Sequence, residues 1–176
     1  KYISVLKKSV LSRGGEILND FGDGSLCTFH SATEALRCAV DMQQQFLTEP
    51  KVPLRIGLHV GEIFFEDEKV FGDGVNVASR IQSLGIANSI LFSPVVRNEI
   101  KNQEHFTCIS LGKFHFKNVE EPMEVFALTN EGLDVPARKN IEGKLKSKKD
   151  YRKRTFLFLF AFIVLAIVSF FMFKAR

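Results

Sequence analysis

The tripeptide Gly-Asp-Gly stands at two places in this chain, and its surroundings differ so sharply that it constrains the fold at both. At Gly22-Asp23-Gly24 it lies between two strand-like runs within residues 16–30, which is the pattern of a β-hairpin with a glycine-bearing turn. At Gly72-Asp73-Gly74 it runs into Val75-Asn76-Val77-Ala78-Ser79-Arg80, a helix-like segment predicted to extend over about 75–84. Asn76 and Arg80 are four apart, so a helix presents the amide and the guanidinium on one face. Such a pair can grip a phosphate or a developing oxyanion, and it can equally be the solvated face of a surface helix. Asp23 at a hairpin tip can hold a hard divalent cation, or it can be plain turn chemistry.

Around these turns the pattern alternates. Ile3, Leu6, Val10 and Leu11 give residues 1–12 an apolar helical face that ends at Gly14-Gly15. Ser31-Ala32-Thr33-Glu34 reads as a capping box opening a helix to about Phe46, with Ala35, Leu36, Ala39, Val40 and Phe46 inward. Strands are predicted at 54–60, 62–66, 89–92, 107–111, 113–118 and 123–129, with a helix from Pro94. Hairpins mixed with helices imply an α+β sandwich, mainly an antiparallel sheet with packed helices.

Charge divides the chain. Residues 1–137 carry a net −5 and residues 138–154 a net +7, so the pI near 9.0 comes from one short segment. This argues against nucleic acid as a partner, because a nucleic-acid module carries its positive charge on the folded face. Thr155–Phe173 is an uncharged run of 19 residues; as a helix it would span about 28 Å, close to the ~30 Å hydrocarbon layer. It is expected to be a transmembrane helix. Arg152-Lys153-Arg154 abuts it and predicts a cytoplasmic location for everything upstream, with the basic stretch able to touch anionic lipid. The expected layout is a folded domain over 1–130, a basic linker over 131–154 and a single membrane span over 155–173. Cys27, Cys38 and Cys108 are too few and too scattered for a disulfide framework or a zinc site. No Ser/His/Asp or Cys/His arrangement suggests nucleophilic catalysis, and His59 reads as structural.

Four ordered blocks together resemble the class III adenylate and guanylate cyclase catalytic domain. They are Phe21-Gly22-Asp23-Gly24, Leu54 to Gly61, Phe71 to Arg80, and Leu111 to Asn118 followed by Pro122 to Phe126. The resemblance covers about residues 10–129 and is greatest to bacterial members whose domain precedes a membrane segment. It implies a ferredoxin-like cyclase sandwich, with the family's first strand and its metal-binding aspartate missing from this sequence. It implies conversion of ATP, with GTP second, to a 3′,5′-cyclic nucleotide and pyrophosphate with two Mg²⁺ or Mn²⁺ ions.

By the same resemblance Asp23 is a metal ligand, Asn76 positions the ribose, Arg80 neutralises the α-phosphate and Lys117 contacts the terminal phosphates. Asn19 and Lys69 occupy the base-reading positions, where the family's usual pairs are absent. Asn19 can donate and accept, so it suits either purine edge. Lys69 offers only donors, and it can equally be a solvated turn residue. The resemblance also implies a head-to-tail homodimer with shared sites, so that this fragment alone would be inactive. The competing expectation is an inactive cyclase homologue that dimerises or senses nucleotide at the membrane.

Overall fold

The computed structural model describes residues 1–141 apart from 21, 23 and 68. Asp23 and the expected membrane span at 155–173 therefore lie outside the described residues, as does most of the basic linker. The chain divides into two units, Lys1–Arg138 and Lys139–Arg176, and every element below belongs to the first. Among the described residues no helix is long and apolar enough to cross a membrane.

Helix α1 (Tyr2–Ser12) buries Leu6, Ser9 and Val10. It stops where Gly14 adopts φ +67 and the Gly15 and Gly14 amides donate back to the Val10 and Leu11 carbonyls. Leu11, expected on its apolar face, is instead two-thirds exposed. Strands β1 (Glu16–Asp20) and β2 (Ser25–Thr28) form the hairpin that the sequence predicts, with a bulge between Ile17 and Asn19.

Helix α2 (Ala32–Phe46) holds the two halves of the core together. Ala32, Leu36 and Ala39 face the sheet, with Ile90, Phe92, Val96 and Leu128. Cys38, Met42 and Phe46 face α1 and the hairpin, with Leu6, Val10, Ile17 and Cys27. Ala35 and Val40, read as inward, are only partly buried. The capping box does not close: Ser31 Oγ accepts from the Thr33 amide at 3.2 Å. Glu34 is turned aside by Arg37 at 2.8 Å and Arg13 at 3.5 Å.

Strands β3 (Arg55–Leu58), β6 (Ser89–Phe92), β8 (Met123–Leu128) and β7 (Cys108–Phe114) form one sheet in that spatial order. β3 and β6 are parallel, while β8 runs against both β6 and β7. β7 joins the first predicted strand, 107–111, to the start of the second, and the rest of the second, 115–118, is not strand but leads into a turn. Gly112, at φ +94, sits beside a register shift after Ser110, so the expected break is a bulge in one continuous strand. β4 (Phe64–Glu66) and β5 (Lys69–Phe71) make a separate two-stranded ribbon, and helix α4 (Pro94–Glu99) follows β6. The hairpin β1–β2 is also a separate sheet, and β3 ends the four-stranded sheet on one side.

A buried amide ties this sheet to α2. Gln43 Nε2 donates to the Leu54 carbonyl at 3.1 Å and to the Ser89 carbonyl at 3.2 Å, at the entry to β3 and β6. Gln43→Leu keeps the volume but removes the side-chain donor from both carbonyls, of which Leu54 O keeps the Asn88 amide at 2.7 Å. It is expected to cost about 1–3 kcal/mol of stability, read from denaturant unfolding.

Candidate functional site

Helix α3 (Asp73–Leu84) begins two residues earlier than the sequence predicts. The reason is a carbonyl from outside the helix. Glu62 O accepts the Gly74 amide at 3.1 Å, so one of the orphan donors of the first turn is satisfied. This contact needs glycine. A Cβ on Gly72 would lie 2.6 Å from Glu62 O, and one on Gly74 would lie 2.9 Å from it. The loop 59–63 is thereby pressed backbone to backbone against the start of α3.

The other end of the anchor is Gly57. The alternation along β3 sends Ile56 and Leu58 towards the α2 core and leaves Gly57 on the opposite face. There a Cβ would lie 2.4 Å from Gln82 N and 2.6 Å from Ala78 O, so the backbone of α3 rests directly on the strand. Val77, Ile81 and Leu84 are buried along the inward stripe. Asn76 and Arg80 are left on the outer face, Asn76 exposed and Arg80 half-buried. Neither side chain makes a hydrogen bond or ion pair with another described residue. An amide and a guanidinium are thus held one turn apart on a rigid helix, with their donors unused by any other described residue.

Strand direction brings a third group to the same edge. β3, β6 and β7 all run the same way, so residues 59, 93 and 115–118 lie at one edge of the sheet. The first turn of α3 sits at this edge too, against Gly61. Lys117 is exposed in the turn just after β7, two strands beyond β6, or roughly 10 Å across the sheet. Carboxyl edges of this kind are where open α/β sheets bind ligands. Lys69 is exposed at the start of β5, which leads through Gly72 into α3. Asn19 is not part of this group. It lies on β1, in the hairpin packed on α1 and α2 through Ile17 and Cys27.

Asp23 lies outside the described residues. Asp20, its neighbour in the hairpin, accepts from the Gly22 amide at 3.1 Å and the Ser25 hydroxyl at 3.3 Å. Among the described residues no group of three or more His, Cys, Asp or Glu could hold a metal ion. The described side chains thus do not make a divalent-cation site by themselves. The thiols are chemically quiet. Burial pushes Cys27 up to about 11 and Cys38 up to about 12, so both stay protonated at neutral pH.

Two more polar residues stand at the edge, His59, which the sequence marks only as structural, and Ser93, which it does not mark. His59 and Ser93 each bury a side-chain atom that has no hydrogen-bond partner. The only signal for them in the sequence is position, each one residue past the end of a buried strand.

A family model described as the adenylate and guanylate cyclase catalytic domain matches residues 26–130. Putative adenylate cyclase 3 of Rhizobium meliloti (strain 1021) is 32% identical over 133 residues, covering 72% of this chain and 23% of that protein. Guanylate cyclase soluble subunit beta-2 of Homo sapiens is 29% identical over 116 residues, covering 62% of this chain and 18% of that protein. The chain therefore spans less than a quarter of either curated relative. Among solved structures, an adenylate/guanylate cyclase/hydrolase from Silicibacter pomeroyi superposes with a TM-score of 0.66 at 30% identity, over 72% of this chain and 79% of that one.

Proposed function

We propose, from the premise that the chain belongs to the adenylate and guanylate cyclase catalytic domain family, that it cyclises a purine nucleoside triphosphate, ATP in preference to GTP. The ribose 3′-hydroxyl gives up its proton to solvent water and its oxygen attacks the α-phosphorus. The bond from that phosphorus to the bridging oxygen breaks, and pyrophosphate leaves. The observation that carries this reading is the pair Asn76 and Arg80, one turn apart on α3 with unused donors. Asn76 orients the ribose, Arg80 meets the charge that builds on the α-phosphate, and Lys117 draws the terminal phosphates to the same edge. Mg²⁺ or Mn²⁺, if bound, depends on Asp23, and no role above is routed through a metal.

ATP is preferred because the Rhizobium meliloti relative bears an adenylate cyclase name, although the human relative is a guanylate cyclase subunit. Asn19 and Lys69 are assigned to the base. Anchoring by residues 155–173, with the domain on the cytoplasmic side and the basic linker at the lipid surface, belongs to the same proposal.

The domain works as a homodimer in this reading, with Asp23 of one protomer facing Asn76 and Arg80 of the other. The β4–β5 ribbon supports a second copy. Phe64 and Phe71 stack at 6.0 Å, yet they are 53% and 46% exposed, and Phe65 is 64% exposed. Isolated two-stranded ribbons are marginal in water, and three rings left uncovered favour a cover. Phe65→Asp is expected to shift the protein from dimer to monomer by light scattering and to remove activity, with unfolding unchanged within about 0.5 kcal/mol.

The deciding experiment incubates the full-length protein with ATP or GTP and Mg²⁺ or Mn²⁺ and looks for cyclic product. Nucleotide binding without product would instead support an inactive homologue that dimerises or senses nucleotide. The odd base pair Asn19 and Lys69 is the observation that favours that second reading.

A further inference from the structure

The candidate site has a support that no family assignment describes, and the inference rests on the reading of α3 given above. His59 Nδ1 and Ser93 Oγ are buried and unpartnered, and Ser93 is 0% exposed. Their positions are related. The last register pair of β3 and β6 is Leu58 with Phe92, and the Ser93 amide donates to the Leu58 carbonyl at 3.1 Å. One step further along the parallel ladder, His59 lies beside Ser93. Ile56, Leu58, Ile90 and Phe92 face the α2 core, so by alternation His59 and Ser93 share the face on which α3 rests. Neighbouring strands are about 4.8 Å apart, which puts the two side chains within reach of each other.

The ring also touches the foot of α3. His59 Nε2 stands 3.0 Å from the point where a Cβ on Gly61 would sit. That same point is 3.0 Å from the Gly74 Cα, in the first turn of the helix. Ring, Gly61 and helix start are therefore packed in series, and Asn76 follows Gly74 by two residues.

We propose that His59 is a positioning residue for α3: its neutral ring wedges behind Gly61, and its Nδ1 accepts the Ser93 hydroxyl when the helix seats on nucleotide. One O–H···N bond then satisfies both orphans, each costly when left alone. The ring proton resides on Nε2. A protonated ring can only donate to the Ser93 oxygen, which leaves the hydroxyl proton without its acceptor, and it places a positive charge beside the positive end of the α3 dipole.

Burial holds His59 below its ordinary value of 6.5. The charged residues on the surrounding elements are Arg55 of β3, Glu62 of the loop, Asp73 and Arg80 of α3, and Arg97 and Glu99 of α4. Burial alone, and none of these, accounts for the shift. Because the folded value is lowered, the unfolded chain holds more protons between that value and 6.5. The stabilising contribution is thus complete above pH 6.5 and is lost as pH falls through that window.

The test uses the full-length protein with His59→Phe, His59→Asn, Ser93→Ala and the double variant His59→Phe/Ser93→Ala. Phe keeps the ring volume without its nitrogens, and Asn restores an acceptor near Nδ1. His59→Phe and Ser93→Ala are each expected to lower kcat about tenfold with KM nearly unchanged, and the double variant no further. His59→Phe should also flatten the acid limb of the pH–rate profile, and His59→Asn should recover most of kcat. Additive losses in the double variant, or an unchanged acid limb, would overturn the proposal.

A readout without turnover separates this proposal from the cyclase reading. With ¹⁵N-labelled histidine and ATP bound, the His59 Nδ1 resonance should shift on Ser93→Ala, and Val75–Val77 amides should exchange faster in His59→Phe. If the protein makes no cyclic product but these changes occur, the cyclase reading fails and the positioning role stands. If Nδ1 is indifferent to Ser93, the positioning role fails whatever the activity.

Discussion

Arg80→Ala is expected to lower the rate of cyclic-product formation by about 10²–10³-fold while KM for nucleotide moves far less. The guanidinium is half-buried on the outer face of α3 and makes no ion pair or side-chain hydrogen bond with another described residue. Its removal therefore breaks nothing inside the described fold, and the unfolding midpoint should stay within the scatter of an ordinary surface change. In the proposed role it meets a charge that is larger in the transition state than in the bound nucleotide, so the loss is expected on kcat. Arg80→Lys keeps the charge but not the planar fork, and should recover only part of the rate. Initial rates at saturating nucleotide, taken beside a melting curve, check the prediction. A rate loss that tracked a lower melting temperature would make Arg80 a structural residue.

The legible parts of this fold are those whose cause is local. The apolar spacing of α2 and the hydrophobic run of β6 need no partner to be recognised, and β6 falls on Ser89–Phe92 as the sequence predicts. The misread parts were each decided by a residue outside the local pattern. Glu34 should close a capping box, but Arg13 and Arg37 take its carboxylate. Gly112 reads as a strand break, but β8 pairs on both sides of it and turns the break into a bulge. Helix α3 starts early because Glu62, eleven residues upstream of Asp73, supplies a carbonyl to the Gly74 amide. The site divides in the same way. Asn76 and Arg80 are related by helical spacing alone, so the sequence shows them together. Lys117 reaches their edge only because β7 runs parallel to β3 and β6. His59 and Ser93 become neighbours only through a register between strands whose residues are more than thirty positions apart.

The largest structural effect is expected from Gly57→Ala, a change of one methyl group in the strand beneath the site. The added carbon would lie 2.4 Å from Gln82 N, 2.6 Å from Ala78 O and 2.7 Å from Gln82 Cα, all backbone atoms, whereas ordinary contact begins at 3.4 Å. No side chain can rotate away, so α3 must lift from the sheet by about 1 Å. Overpacking of this kind costs about 1–3 kcal/mol and sometimes more. Ala78 and Gln82 flank Arg80, so the lift moves the guanidinium as well, and a misplacement near 1 Å can cost about 10²-fold in rate. Gly57→Ala should therefore lose stability and turnover together, whereas Arg80→Ala loses turnover alone. Gly24, with nothing within 4 Å of its Cβ position, is the control for stability, and Gly24→Ala should leave the melting curve in place. Full stability in Gly57→Ala would mean that α3 does not rest on β3. The rigidity on which the roles of Asn76 and Arg80 depend would then have to come from elsewhere.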